Sequence, residues 1–404
     1  MRLLLLTLIE LALCSHAFCA DSAIRFLEDR VKKDPGDFTA QNMLASRYLD
    51  LFRSTGEDEW LAKARRASET SVNAVPAEVN TAGLVALGRV QLASHEFTLA
   101  RDTAKRLLEI GPTKAAGFAI LGDAFLELGD YREAADAYQE VARLDEGGID
   151  SETRLARLAI VRGNLDAARG HFTAALAQTR ELSPPSPQLV AWCSVQLGQL
   201  YFSRGDWERA EKQYKIALEA MPDYYAALDH LAELRAAQEQ APEAIRLYEK
   251  VIARVSRPEF CQALGDLYAF TGKIEQAKPW HERALATYLK SAEKDGRYFH
   301  HLAGFYCDST ENPTEALRWA RKDLQIRNSV FVHDALAWAL YRNGECGEAA
   351  AEIKKALSEG TKDAHLFFHA GMIFSANGDL ARGKDFLERA AAVNPHYNSF
   401  HEHR

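Results

Sequence analysis

The stretch Leu121-Gly122-Asp123-Ala124-Phe125, continued by Gly129-Asp130-Tyr131, Ala134 and Tyr138, decides the fold because it returns. Further along stand Leu197-Gly198-Gln199-Leu200-Tyr201, then Gly205-Asp206-Trp207, Ala210, Tyr214 and Pro222, at the same internal spacings. With the small residue after Leu as a mark, the series runs Ala45, Gly88, Gly122, Ala156, Gly198, Ala232, Gly265, Ala303, Ala337 and Gly371, most intervals being 33 or 34 residues. A second series keeps phase with the first, for twelve residues beyond nearly every mark stands Ala100, Ala134, Ala168, Ala210, Ala244, Ala277, Ala349 or Gly383. Two small residues in phase have a physical cause: they let two antiparallel helices cross at the short end of the ~8–10 Å range. Large residues beside them fill the remaining space: Phe125, Tyr201, Tyr268 and Tyr306 on first helices, and Tyr138, Phe172, Tyr214, Tyr248 and Leu387 on second helices.

Turn signals separate the two helices at Gly129-Asp130, Gly163-Asn164, Gly205-Asp206 and Gly378-Asp379. Pro35, Pro76, Pro112, Pro222 and Pro395 end second helices, since proline lacks the helical donor and restricts the residue before it. The longer intervals predict loops at Ser54 to Glu59, at Leu182 to Pro187, and around Lys290 and Asp308 to Pro313. The chain is therefore expected to be all-α. Leu-Gly-x-x-Tyr followed by Ala, an aromatic and Pro resembles the 34-residue unit of the tetratricopeptide repeat family. The resemblance implies a right-handed α-solenoid of about ten helix-turn-helix repeats over residues 37–397, followed by a short tail at 398–404. Ala23, Leu27 and Pro35 keep the register of a second helix without its first, which predicts a capping helix over residues 21–36. The polar tail beyond Pro395 is expected to fray.

At 404 residues, 47% hydrophobic and 26% charged, the chain can bury a large core and lies outside the disordered class. A net charge of -8 and the lack of any Lys/Arg block leave no concentrated basic face for phosphates, so nucleic acid is not the expected partner. Met1 and Arg2 precede an apolar run from Leu3 to Leu13, broken by Thr7 and Glu10 and followed by small residues, which reads as a secretory signal peptide over residues 1–20. Cleavage is expected between Ala17 and Ala20, releasing a protein located outside the cytoplasm, periplasmic or secreted. The run is too short to span a bilayer, which takes about 20 residues. Leu13 before Cys14 and Phe18 before Cys19 fit a lipoprotein signal poorly.

Chemical motifs are sparse. Gly378-Asp379-Leu380-Ala381-Arg382-Gly383-Lys384 mimics a phosphate-binding loop, but Asp385 stands where Ser or Thr belongs, and the repeat accounts for every residue of it. No Gly-x-Ser-x-Gly, His-Glu-x-x-His or paired Cys-x-x-Cys occurs, so the expectation is a non-catalytic protein without cofactors. The alternative is a metal-dependent enzyme or metal-binding protein using His300, His301, His333, His365 and His369, with Asp334 as the candidate carboxylate. The spacing of His365 and His369 could place two imidazoles on one ion. Of the cysteines beyond the leader, Cys193, Cys261, Cys307 and Cys346, only Cys307 and Cys346 fall in adjacent repeats; buried free thiols are the expected state.

The resemblance also implies where a ligand would sit. In that family the first helices line the concave face, and positions three before, one after and four or five after the small mark meet ligand. Those offsets select His300, Cys307, Asp308, Asp334, Trp338, Tyr341, Arg342 and Phe368 in the late repeats, and Asp229, Glu233, Gln262 and Asp266 in the middle. Trp, Tyr and Arg are the residue types that most often anchor protein interfaces. Leu336, Ala337 and Leu340 already supply core, which tilts Trp338 and Tyr341 toward the groove. Asn42 fits one place of the carboxylate clamp of chaperone adaptors, but Val85, Arg89 and Ala119 break that pattern. The expected function is an interaction scaffold holding a peptide or helix of a protein partner.

Overall fold

The computed structural model describes residues 22–111, 114–255 and 257–400, with Asp295 as backbone only. The signal segment, Pro112 and residues 401–404 lie outside the described residues. A helix over residues 22–33 is followed by ten helix pairs, and no strand occurs among the described residues. Phe38–Thr55 pairs with Asp58–Ala74, Thr81–Ala93 with Phe97–Ile110, Ala115–Leu128 with Tyr131–Leu144, Ile149–Val161 with Leu165–Glu181, and Pro187–Phe202 with Trp207–Ala220. The later pairs are Tyr225–Ala237 with Ala241–Arg254, Pro258–Phe270 with Ile274–Asp295, Phe299–Ser309 with Pro313–Ile326, Val330–Arg342 with Cys346–Ala356, and Ala364–Ala376 with Leu380–Val393.

The two small-residue series lie at the crossings. Ala100, Ala134, Ala168, Ala210, Ala244 and Ala349 are wholly buried, as are Ala156, Ala232 and Ala337 opposite. A Cβ on Gly122 would strike the Tyr138 ring, so the glycine is what lets that tyrosine lie across the first helix. Tyr138, Tyr214 and Tyr248 are fully buried, whereas Phe125, Tyr201, Tyr268 and Tyr306 are only half-buried. Second helices such as Tyr131–Leu144 bury one stripe, Tyr131, Ala134, Tyr138 and Val141, and leave charges outside. First helices such as Tyr225–Ala237 are buried nearly all round, because each is packed by its own second helix and by the next repeat.

The chain divides into two compact units, residues up to 120 without 54–56, and residues 121 onward together with 54–56. In the first, the helix over residues 22–33 sets Ile24 and Leu27 against Leu44, Ala45 and Tyr48. Asn42 is occupied internally, accepting from Ser71 Oγ at 2.6 Å and donating to Asn80 Oδ1 at 2.7 Å. Asn80 in turn caps Thr81–Ala93 by accepting from the Gly83 amide.

In the second unit the superhelix meets itself about 200 residues on. The Asn328 amide donates to the Leu128 carbonyl at 3.2 Å, and the Val330 amide to the Tyr131 hydroxyl at 2.8 Å. Thr361 Oγ1 donates to the Val161 carbonyl, and His396 stacks on Trp207 with ring centroids 4.0 Å apart. Against the fraying expected beyond Pro395, residues 396–400 pack against the repeats, and Phe400 is buried edge-on to Phe270.

One expected loop is corrected as well, and another is shortened. Lys290 lies inside the helix Ile274–Asp295, where the extra residues extend the helix instead of leaving it. The loop expected from Asp308 to Pro313 is present but shorter, at residues 310–312, because Asp308 and Ser309 belong to a π-helical turn, Phe305–Ser309, that prolongs the first helix of its repeat. Gly378-Asp379 is an interhelical turn whose Asp379 accepts from the Arg382 amide, and a Cβ on Gly383 would collide with Ser375. The phosphate-loop mimic is thus spent on the repeat. All four described cysteines are free thiols, with Cys193, Cys261 and Cys307 buried.

Candidate functional site

First helices of four successive repeats, Pro258–Phe270, Phe299–Ser309, Val330–Arg342 and Ala364–Ala376, stand side by side and enclose a cavity of about 610 Å³. The helical period turns one stripe of each toward it, and the π turn adds a local bulge that brings Cys307, Asp308 and Ser309 to the wall.

Of the expected site residues, His300, Cys307, Asp308, Asp334 and Trp338 line this cavity, as do Gln262 and Asp266. Tyr341, Arg342 and Phe368 do not line it; they support Trp338 from behind. Tyr341 stacks on the indole at 5.0 Å between centroids, Phe368 lies at 6.0 Å, and the Arg342 guanidinium sits 5.9 Å from the ring. Trp338 is only 8% exposed, so the choice between core and groove is resolved as both. Its Nε1 donates to Asp308 Oδ1 at 3.2 Å, and its face stacks on His369 at 4.2 Å.

Asp229 and Glu233 depart from expectation. Both are buried in the helix Tyr225–Ala237 rather than facing a ligand, with the Glu233 carboxylate 3.3 Å from His230 Nδ1. A helix packed on two sides turns even its groove offsets inward.

The histidines are dispersed by individual partners. His333 points to Glu352 at 2.7 Å and Asn328 at 2.8 Å, and His300 Nδ1 approaches Asp323 at 3.3 Å. His369 Nδ1 bonds Asp334 at 3.0 Å; burial opposes charging it, but Asp334 with Asp308 and Asp363 outweighs burial and raises its pKa. Among the described residues no three His, Cys, Asp or Glu side chains are grouped to hold a metal ion. Burial also pushes the Cys193 thiol up to about 12, and that of Cys307 upward, the latter with Asp308 adding to the effect. Neither environment favours a thiolate nucleophile.

Glu259, Phe331 and His365 also line the cavity, and the offsets used for the sequence missed them as ligand positions. Each stands six residues before its small mark, at Gly265, Ala337 and Gly371, one helical turn beyond the nearest offset tried. Extending the offsets by that turn would have found all three. Phe400, from the tail, carries no such signal.

Tetratricopeptide repeat profiles match residues 85–149, 149–223, 195–257 and 258–290. Photosystem I assembly protein Ycf3 of Synechococcus elongatus is 30% identical over 131 residues, which span 30% of this chain and 73% of that protein. The chain belongs to the tetratricopeptide repeat family. It is also similar to the putative cellulose synthase operon protein C of Escherichia coli O157:H7, at 22% identity over 319 residues. That match covers 76% of this chain and 26% of the other, so the chain spans about a quarter of that relative's length. The fold is shared with a structure of the human IFIT1 dimer with PPP-AAAA, at a TM-score of 0.50 and 14% identity, covering 93% of this chain and 87% of that one. Tetratricopeptide repeat proteins commonly serve as protein-interaction scaffolds. No helix among the described residues is long and apolar enough to cross a membrane.

Proposed function

We propose that the protein is a non-catalytic scaffold acting outside the cytoplasm, and that the cavity between its late first helices holds an extended segment or helix of a protein partner. The observation that carries this assignment is the exposed aromatic wall of the cavity: Phe331 is 43% exposed and Phe270 54% exposed, next to the buried Trp338. Large apolar side chains left in water inside a concave site are the surface a partner covers. Phe331→Ala and Phe270→Ala are expected to weaken partner capture at least about tenfold, the equivalent of ~1.4 kcal/mol. Being exposed, both should leave the melting temperature nearly unchanged, whereas Trp338→Ala would confound binding with lost core. Leu380→Ala, exposed on a second helix, is the control. Cross-linked pull-downs with each variant are the test, and wild-type capture by both phenylalanine variants would refute the groove.

Location outside the cytoplasm rests on Arg2 and the apolar run Leu3 to Leu13. Intact-mass measurement of the exported protein is expected to give an N-terminus between Phe18 and Asp21. An uncleaved chain retained in the cytosol would overturn this, and an acylated cysteine would make the protein a lipoprotein.

A further inference from the structure

The cavity wall carries five carboxylates, Glu259, Asp266, Asp308, Asp334 and Asp363, and none of the described residues lining it is Lys or Arg. Some of that charge is balanced by neighbouring side chains. Arg257 lies 3.1 Å from Glu259, His281 2.8 Å from Asp266, and His369 3.0 Å from Asp334, while Asp363 caps the next helix by accepting from the Leu366 amide. For Asp308 the compensation is one-sided. Its contacts among the described residues, Trp338 Nε1 at 3.2 Å and Arg342 Nη1 at 3.5 Å, both fall on Oδ1. Partial burial raises the Asp308 pKa, against the pull of Trp338, His369 and Arg342, so its neighbours only partly offset the cost of holding charge there.

Three classes of occupant meet this wall differently. An anionic group would face five carboxylates and no lining Lys or Arg. A wholly apolar group would strip water from Asp308 and Asp334 without replacing their hydrogen bonds, which is unfavourable. A cationic side chain with an aliphatic stem satisfies both parts of the wall, its stem lying on Phe331 and Phe270 and its head on the acids.

Resting on the groove assignment above, we propose that the cavity recognises an arginine or lysine side chain presented by an extended polypeptide segment of the partner, with Asp308 as the carboxylate that receives it. The test uses four acetylated, amidated nonapeptides of one Gly/Ser/Ala background with Arg, Lys, Gln or Glu at the centre, titrated calorimetrically into the full-length mature protein. The Arg and Lys peptides are expected to bind at least about tenfold more tightly than the Gln peptide, with the Glu peptide weakest. Asp308→Asn, which keeps shape and hydrogen bonding, is expected to remove that preference, and its melting curve checks folding. The wild-type comparison stands even if the variant misfolds. Equal binding of the Gln peptide would overturn the cationic assignment while leaving the groove intact, and so would a preference that survives Asp308→Asn in folded protein. Spermidine binding as tightly as the Arg peptide would replace the polypeptide by a free amine. Absence of binding by all four peptides would overturn the inference, and the phenylalanine variants then decide separately whether the groove holds any partner.

Discussion

Asp323→Ala is expected to lower stability by ~3–5 kcal/mol, the usual result of removing one partner of a buried ion pair. Asp323 is 2% exposed, and Arg327 grips it with Nε to Oδ1 at 2.8 Å and Nη2 to Oδ2 at 3.0 Å. Burial alone would raise its pKa, but His300 and Arg327 outweigh burial and bring it down to about 2. A folded-state value depressed from 3.8 contributes stability that is fully present above the ordinary carboxylate range and is lost as pH falls through about 2. The linkage contribution is on the order of 2–3 kcal/mol, and the stranded Arg327 guanidinium supplies the remainder in the alanine variant. Urea unfolding followed by circular dichroism at pH 7 and pH 2 checks both parts: the gap between wild type and variant should be large at the first and reduced at the second. A gap independent of pH would refute the electrostatic account. Arg327 also lies 3.8 Å from Glu127 on the preceding superhelical turn, and His300 stands in the cavity wall. Exchange of amides in Phe299–Ser309 should therefore quicken along with those of Pro313–Ile326.

Gly129→Ala and Gly378→Ala form the second expectation, because the two sites are alike locally and differ in what lies beyond. Each opens a Gly-Asp turn between the helices of its repeat, with φ of 86° and 88°. An L-residue in that left-handed region costs ~1–2 kcal/mol at either site. At Gly378 a Cβ meets nothing within 4 Å, whereas at Gly129 it would overlap the Asn328 carbonyl oxygen. Backbone cannot rotate away as a side chain can, so the turns must part and the Asn328-to-Leu128 and Val330-to-Tyr131 hydrogen bonds weaken with them. At ~1 kcal/mol each, those bonds set the additional loss at Gly129→Ala at about 2 kcal/mol or more. Equilibrium unfolding gives the difference, and faster hydrogen exchange at Asn328 and Val330 in Gly129→Ala alone would locate it. Equal destabilisation at the two sites would mean the contact between turns contributes nothing.

Much of the candidate site was legible. Asp334, Trp338, His300 and Asp308 came from the groove offsets that the family resemblance implies, which carry from repeat to repeat because a helix of fixed period presents the same position to the same side. Counting failed where a neighbour changes the environment of that side. Asp229 and Glu233 hold the correct offsets, yet the crowded helix Tyr225–Ala237 buries them. Tyr341, Arg342 and Phe368 hold them too, but they lie against the Trp338 indole and do not line the cavity.

The sequence by itself determined the repeat, its helix pairs and the small residues at their crossings. These depend on periods of 3.6 and about 34 residues, which any stretch of that length displays. Only the tertiary structure decided that Gly129 touches backbone 199 residues on while Gly378 touches none, that Trp207 receives His396, and that Phe400 returns to Phe270. Such contacts follow from a small rotation between adjacent repeats summed over about six of them. A rotation too small to leave a mark on any one repeat sets, by accumulation, which turns meet.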